Sequence, residues 1–135
     1  MKIDGACHCG HITYEAEIDP ANVLICHCTD CQTLSGSAFR TVVFTEKGTF
    51  RLLSGAPKTY FKIGESGARR AQCFCPECGT PIYATADEEN PQVHGLRVGT
   101  IRQRAELDPR RQVYARSCQP WVADLAPIPA NQGSL

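Results

Sequence analysis

The sequence predicts an all-β domain. Three observations carry this: many short apolar stretches with period-2 alternation, Gly and Pro turns between them, and only one segment with a helix signature. At 135 residues the chain fits a single domain with one modest core. Charged residues make up 21% and apolar ones 42%, the composition of an ordinary folded protein.

Residues 3–18 read as two short strands around a Gly-containing turn, with Ile12, Tyr14, Ala16 and Ile18 alternating inward. Asp19-Pro20 marks a break, and Val23 to Cys26 is a short apolar approach to a cysteine cluster. Thr29 to Leu34 (TDCQTL) reads as a short helix with Thr29 or Asp30 as its N-cap. Strands follow at 38–45 and 49–53, joined by a Lys47-Gly48 turn, and then at 59–63, 71–74 and 81–84. Leu96 to Ile101 forms one more strand, and Val113 to Ala115 the last. The Pro- and Ala-rich segment 123–135 reads as a loose tail on a domain spanning 1–122.

Nine cysteines dominate the composition. Cys7 and Cys9 form a Cys-x-Cys pair; Cys26-x-Cys28-x-x-Cys31 and Cys73-x-Cys75-x-x-Cys78 repeat one longer pattern. Neighbours this close converge on a metal ion more readily than they form structural disulfides. The N-terminal MKIDGACHCG lacks the basic start and apolar run of a secretory signal, so the expected compartment is the reducing cytoplasm. No apolar run approaches the roughly 20 residues needed to span a bilayer, so no membrane is expected as a partner. Eight thiolates offset by two zinc ions would bring the formal charge of zero to about −4. With no basic stripe interleaved with aromatics, that balance argues against nucleic acid as a partner.

Cys7 and Cys9, two apart in an extended segment, project from one face. Cys75-Pro76-Glu77-Cys78-Gly79 is a zinc knuckle whose glycine can take the positive φ that closes the turn. The two pairs together make a closed structural Cys₄ site. Cys26, Cys28 and Cys31 offer three thiolates from one short loop, leaving a fourth zinc position open for water or substrate. Cys73 lies two before Cys75 and can reach either metal; if it completes the second site, both sites are structural. All-sulfur tetrahedral sites favour zinc over iron–sulfur clusters.

Other residues read more plainly. His8 and His27 sit between ligand cysteines and point away from them, as surface or hydrogen-bonding histidines. His11 and His94 have no motif around them. Cys118 reads as a small buried thiol, and Trp121 as core or a pocket wall. Arg40, Arg69 and Arg70 either hold the carboxylates of a small anionic ligand, or only balance the thiolates or face solvent. Arg102, Arg104, Arg110 and Arg111, interleaved with Glu106 and Asp108, read as a solvated face.

Three motifs, Gly5-Ala6-Cys7-His8-Cys9-Gly10, Cys26-His27-Cys28-Thr29-Asp30-Cys31 with Ser35-Gly36-Ser37, and Phe74-Cys75-Pro76-Glu77-Cys78-Gly79, resemble those of the glutathione-dependent formaldehyde-activating family, which includes centromere protein V. The resemblance runs from Gly5 to about Trp121. It implies a β-tent of short, twisted antiparallel sheets stapled by two zinc ions. Cys7, Cys9, Cys75 and Cys78 match the family's structural site, and Cys26, Cys28 and Cys31 its catalytic one. The implied activity is a carbon–sulfur lyase reaction joining glutathione to formaldehyde as S-hydroxymethylglutathione, and the reverse. A non-catalytic zinc module that binds a protein partner is the alternative, and it requires two closed Cys₄ sites.

Overall fold

The structure, a computed structural model, describes residues 1–134. Ten strands and one short α-helix form two sheets, so the all-β expectation holds. Strands β1 (Lys2–Ala6) and β2 (Thr13–Glu17) make the N-terminal hairpin, and β5 (Arg51–Ser54) joins it as a third strand. The second sheet has seven strands: β3 (Leu24–Cys26), β4 (Arg40–Phe44), β6 (Lys58–Ile63), β7 (Arg69–Phe74), β8 (Pro81–Ala86), β9 (Gly95–Arg97) and β10 (Arg111–Val113). Their order is β10-β3-β4-β9-β8-β7-β6.

Period-2 alternation positions the core as the sequence indicates. Ile12, Tyr14, Ala16 and Ile18 are all buried, and Tyr14 bonds Thr100 through its hydroxyl at 2.6 Å. On the facing side of the seven-stranded sheet, Val43, Leu96, Tyr83, Cys73 and Thr59 stand in one cross-strand row. The first four of these are buried. Phe50 packs against the core, with His94 stacked on its ring at 4.2 Å between centroids. His94, which no motif marks, is thus a core residue; burial lowers its pKa.

Several local expectations are corrected. The Lys47-Gly48 turn does not close a hairpin: β4 pairs with β3 and β9, whereas β5 pairs with β2, so the chain crosses between sheets there. The strand expected at 96–101 ends at Arg97, because Val98–Thr100 turns into a 3-10 helix. Strand β10 pairs with β3 in parallel, an exception to an otherwise antiparallel arrangement. Helix α1 spans Thr29–Ser35, but its N-cap is Cys28, whose sulfur accepts the Cys31 N–H at 3.3 Å. Gly36, at φ 63°, ends the helix in the left-handed region that glycine tolerates. Trp121 is 53% exposed rather than core, and Cys118 is half-buried, donating to the Gln119 carbonyl. Residues 123–134 are exposed throughout.

Candidate functional site

Two cysteine groups emerge from the fold. The first comprises Cys7, Cys9, Cys75 and Cys78, whose sulfurs all lie within 4.8 Å of one another. Two similar turns build it. Gly10 (φ 82°) turns the chain after Cys9, and Gly79 (φ 76°) after Cys78. Backbone bonds from Cys7 N–H to Ile12 and from Cys75 N–H to Thr80 close the two loops. The His8 N–H donates to the Thr80 hydroxyl at 3.1 Å, joining one turn to the other.

The sulfur spacing tests whether this group fits a metal. Sγ–Sγ separations are 3.6 Å for Cys7–Cys9 and 3.8 Å for Cys9–Cys75. A tetrahedron with metal–sulfur bonds of about 2.3 Å has edges of about 3.8 Å, so the spacing suits a tetrahedral thiolate site. The Ile12 N–H donates to Cys7 Sγ at 3.2 Å, a bond that stabilises a thiolate. Cys78 is held down to about 5 by its bond with the Thr80 hydroxyl, aided by backbone N–H groups.

The second group is Cys26, Cys28 and Cys31, also mutually within 4.8 Å. Cys26 ends β3, Cys28 caps α1 and Cys31 lies in its first turn. The Cys31–Cys26 hydrogen bond holds the Cys26 thiol below its ordinary pKa and pushes Cys31 up, with burial adding to the rise. A metal ion takes cysteines as thiolates, so binding here would release their protons. His27 points away from these sulfurs but is fully buried rather than on the surface, with Nε2 2.6 Å from Gln112 Oε1. The Gln32 side chain donates to the carbonyls of His27 and Ser117, tying the cysteine loop to the C-terminal segment.

Cys73 joins neither group. Direct pairing with Thr59 and Tyr83 puts it on the core face of β7, where its sulfur lies 3.5 Å from the Thr59 hydroxyl. The second group therefore consists of three cysteines.

That group opens on a cleft of about 730 Å³. The cross-strand register explains its floor. Cys26 sits opposite Arg40, Val42 opposite Arg97, Phe44 opposite Gly95, Gly95 opposite Ala84, Ala84 opposite Gln72, and Arg70 opposite Lys62. Directly paired residues share a face, so all of these project from the side opposite the core. The small residues Gly95 and Ala84 keep the middle of the floor open. Of the arginines singled out in the sequence, Arg40 and Arg70 line the cleft. Arg69 lies on the alternate face, paired with Asp87 at 3.0 Å and over the Phe61 ring. Arg97, Gln72 and Lys62 went unrecognised in the sequence. The signal for Arg97 was a cation between the apolar Leu96 and Val98, inside a strand.

The family model described as glutathione-dependent formaldehyde-activating enzyme matches residues 2–117. The chain belongs to this family. Membership supports a glutathione-related, formaldehyde-activating function, with glutathione as substrate partner, and the two cysteine groups are able to hold metal ions. A crystal structure of a Rhodobacter sphaeroides protein shares the fold. Its TM-score is 0.61 at 20% identity, over 82% of this chain and 99% of that one. No curated protein matches the sequence. Among the described residues, no helix is long and apolar enough to cross a membrane.

Proposed function

We propose that the protein is a zinc-dependent carbon–sulfur lyase acting on a small-molecule thiol adduct such as S-hydroxymethylglutathione. The observation that carries this reading is the three-cysteine group opening onto a basic cleft, with Cys73 turned away into the core. A binding module with two closed Cys₄ sites needs a fourth sulfur at that group.

Cys7, Cys9, Cys75 and Cys78 would hold a structural zinc, and Cys26, Cys28 and Cys31 a second. That second ion, when bound, supplies Lewis acidity and a place where a substrate thiol is held as thiolate at neutral pH. The chain's own residues do the rest. Arg40, Arg70 and Arg97 offer cationic donors to an anionic substrate. Leu24, Val42 and Phe44 give the cleft an apolar wall, and Asp30 fixes Lys62 at its rim through a 2.8 Å ion pair. In the forward direction the thiol sulfur bonds to the aldehyde carbon, the C=O π bond breaks, and the thiol proton passes to the oxygen. The reverse step returns thiol and formaldehyde.

The zinc-binding domain would span 1–122, with 123–135 as its tail. A cytoplasmic setting, with its reduced thiol pool, suits both the cysteines and the substrate.

The test is exchange spectroscopy of formaldehyde and glutathione in the presence of zinc-loaded protein. Catalysed exchange in wild type that disappears in Cys26→Ser, Cys28→Ser and Cys31→Ser is the expected outcome. Exchange that persists in all three variants overturns the reading.

A further inference from the structure

On the cleft floor, three arginines lack acidic partners. The ion pairs of the described residues join Arg51 to Glu15, Lys62 to Asp30, Arg69 to Asp87, Arg102 to Asp4 and Arg116 to Glu65. Arg40, Arg70 and Arg97 take part in none of them. The two acids lining the cleft, Asp30 and Glu65, are already engaged by Lys62 and Arg116.

Arg40 is 94% buried by its 6% residual exposure, and its side-chain bond is a long one, Nη1 to Gln72 Oε1 at 3.4 Å. Arg97 Nη2 donates to the same oxygen at 2.7 Å, while its Nε has no partner. Two guanidinium groups thus converge on one neutral amide oxygen. A guanidinium carries five N–H donors, so most of this pair's capacity is unused. Burying charge without a counter-charge is costly, and an anion bound here would offset that cost. Burial, with repulsion from Arg40 and Arg70, pushes Arg97 down to about 9, which leaves it charged at neutral pH.

Location adds the second argument. Arg40 is the direct cross-strand partner of Cys26, so its side chain rises beside the three-cysteine group on the same face. Arg97 is one strand further along that face.

We infer that Arg40, Gln72 and Arg97 form an anion site that holds a carboxylate of the substrate, making the enzyme selective for carboxylate-bearing thiols. Gln72 fixes the two guanidinium groups, and their free N–H donors take the carboxylate while the substrate sulfur is directed to Cys26, Cys28 and Cys31. The inference rests on the thiol-adduct reading for the sulfur end and on the arginine geometry for the anion end.

The test uses cobalt(II)-loaded protein, in which a thiol reaching the metal changes the absorption spectrum. 3-Mercaptopropionate is compared with its methyl ester, which has the same sulfur and no charge, in wild type, Arg97→Gln and Arg40→Lys. A charged, hydrogen-bonded carboxylate predicts that the acid binds at least about tenfold tighter than the ester in wild type. That preference is expected to shrink to about threefold or less in Arg97→Gln, with the ester's own affinity kept. Arg40→Lys preserves the charge and guards against loss of folding in the first variant; it is expected to lose part of the preference. Equal binding of acid and ester in wild type, or a preference intact in both variants, overturns the inference. Succinate, which has no sulfur, separates the two readings by calorimetry. If neither thiol alters the spectrum, the lyase reading falls. Succinate binding that is lost in Arg97→Gln still supports the anion site, and no binding in wild type overturns it.

Discussion

Replacing Cys73 by alanine separates a catalytic second site from a closed structural one. Cys73 is 5% exposed and stands in the core row between Thr59 and Tyr83. Alanine removes only the sulfur. Losing a buried group about the size of one methylene costs about 0.8 kcal/mol of transfer free energy. The space left, roughly 25 Å³, adds about 0.6 kcal/mol if the neighbours do not relax. Thr59 is exposed, so its hydroxyl can turn to water and the weak 3.5 Å contact adds little. Urea unfolding should therefore show Cys73→Ala less stable by about 1.4 kcal/mol. Cys73→Val, which refills the space, should fall near wild type. Metal content by emission spectrometry and resistance to a competing chelator should match wild type in both variants. A variant that purifies with one metal fewer per chain would make Cys73 a ligand and refute the argument from strand register.

Further outcomes follow from other contacts. Cys28→Ser should lose the second metal and turnover while keeping the first metal, because Cys28 takes no part in the four-cysteine group; metal analysis and circular dichroism check this. Gly5→Ala should destabilise by about 3 kcal/mol or prevent folding, measured by urea unfolding. A Cβ there would lie 2.4 Å from the Tyr14 ring and 2.6 Å from the Thr100 carbonyl oxygen. Because burial lowers the His94 pKa below its ordinary 6.5, the unfolded chain takes up a proton first as pH falls. Stability should thus decline below about pH 6.5 until the folded pKa is reached, and His94→Phe should flatten this limb; subtracting the two unfolding curves removes the acid response of the cysteines, which both proteins share.

What could be read in the sequence was local. Cys7, Cys9, Cys75 and Cys78 announce themselves through short spacings and the glycine that closes the knuckle, and the inward series from Ile12 to Ile18 through strict alternation. The cleft could not be read this way, because cross-strand register places its residues. Cys26 and Arg40 are neighbours only through the β3–β4 pairing, and Arg97 and Gln72 arrive on separate strands of the sheet. Cys73 shows the same limit. Sequence parity links it to Cys75, but register shifts between Cys73 and Phe74, and the knuckle then carries Cys75 to the first group. The parallel β10–β3 pair joins Val113 to Cys26 across most of the chain, beyond the reach of any local pattern.

The division between the two cysteine groups follows from how a chain this small can spare a sheet face for chemistry. The seven-stranded sheet packs one face against the three-stranded sheet and gives the other to the cleft beside Cys26, Cys28 and Cys31. Isolated bridges at Gly5–Ile101 and Ile18–Thr45 tie the β1–β2 hairpin to the segments that follow β9 and β4. The first cysteine group links the end of the β1–β2 hairpin to the β7–β8 turn. Cys9 and Cys75 are 66 residues apart, and fixing a loop of that length removes unfolded-state entropy worth about 4 kcal/mol. A gain of that size is a large share of the roughly 5–15 kcal/mol that separates folded from unfolded domains. The second group closes only the short loop from Cys26 to Cys31, so its constraint on the unfolded chain is much smaller. Stepwise chelation should accordingly leave the fold intact when the second metal departs and loosen the packing of the two sheets when the first one does. Hydrogen exchange at β1 and β2 reports that second event, and protection there that survives complete metal removal would mean the core alone holds the sheets together.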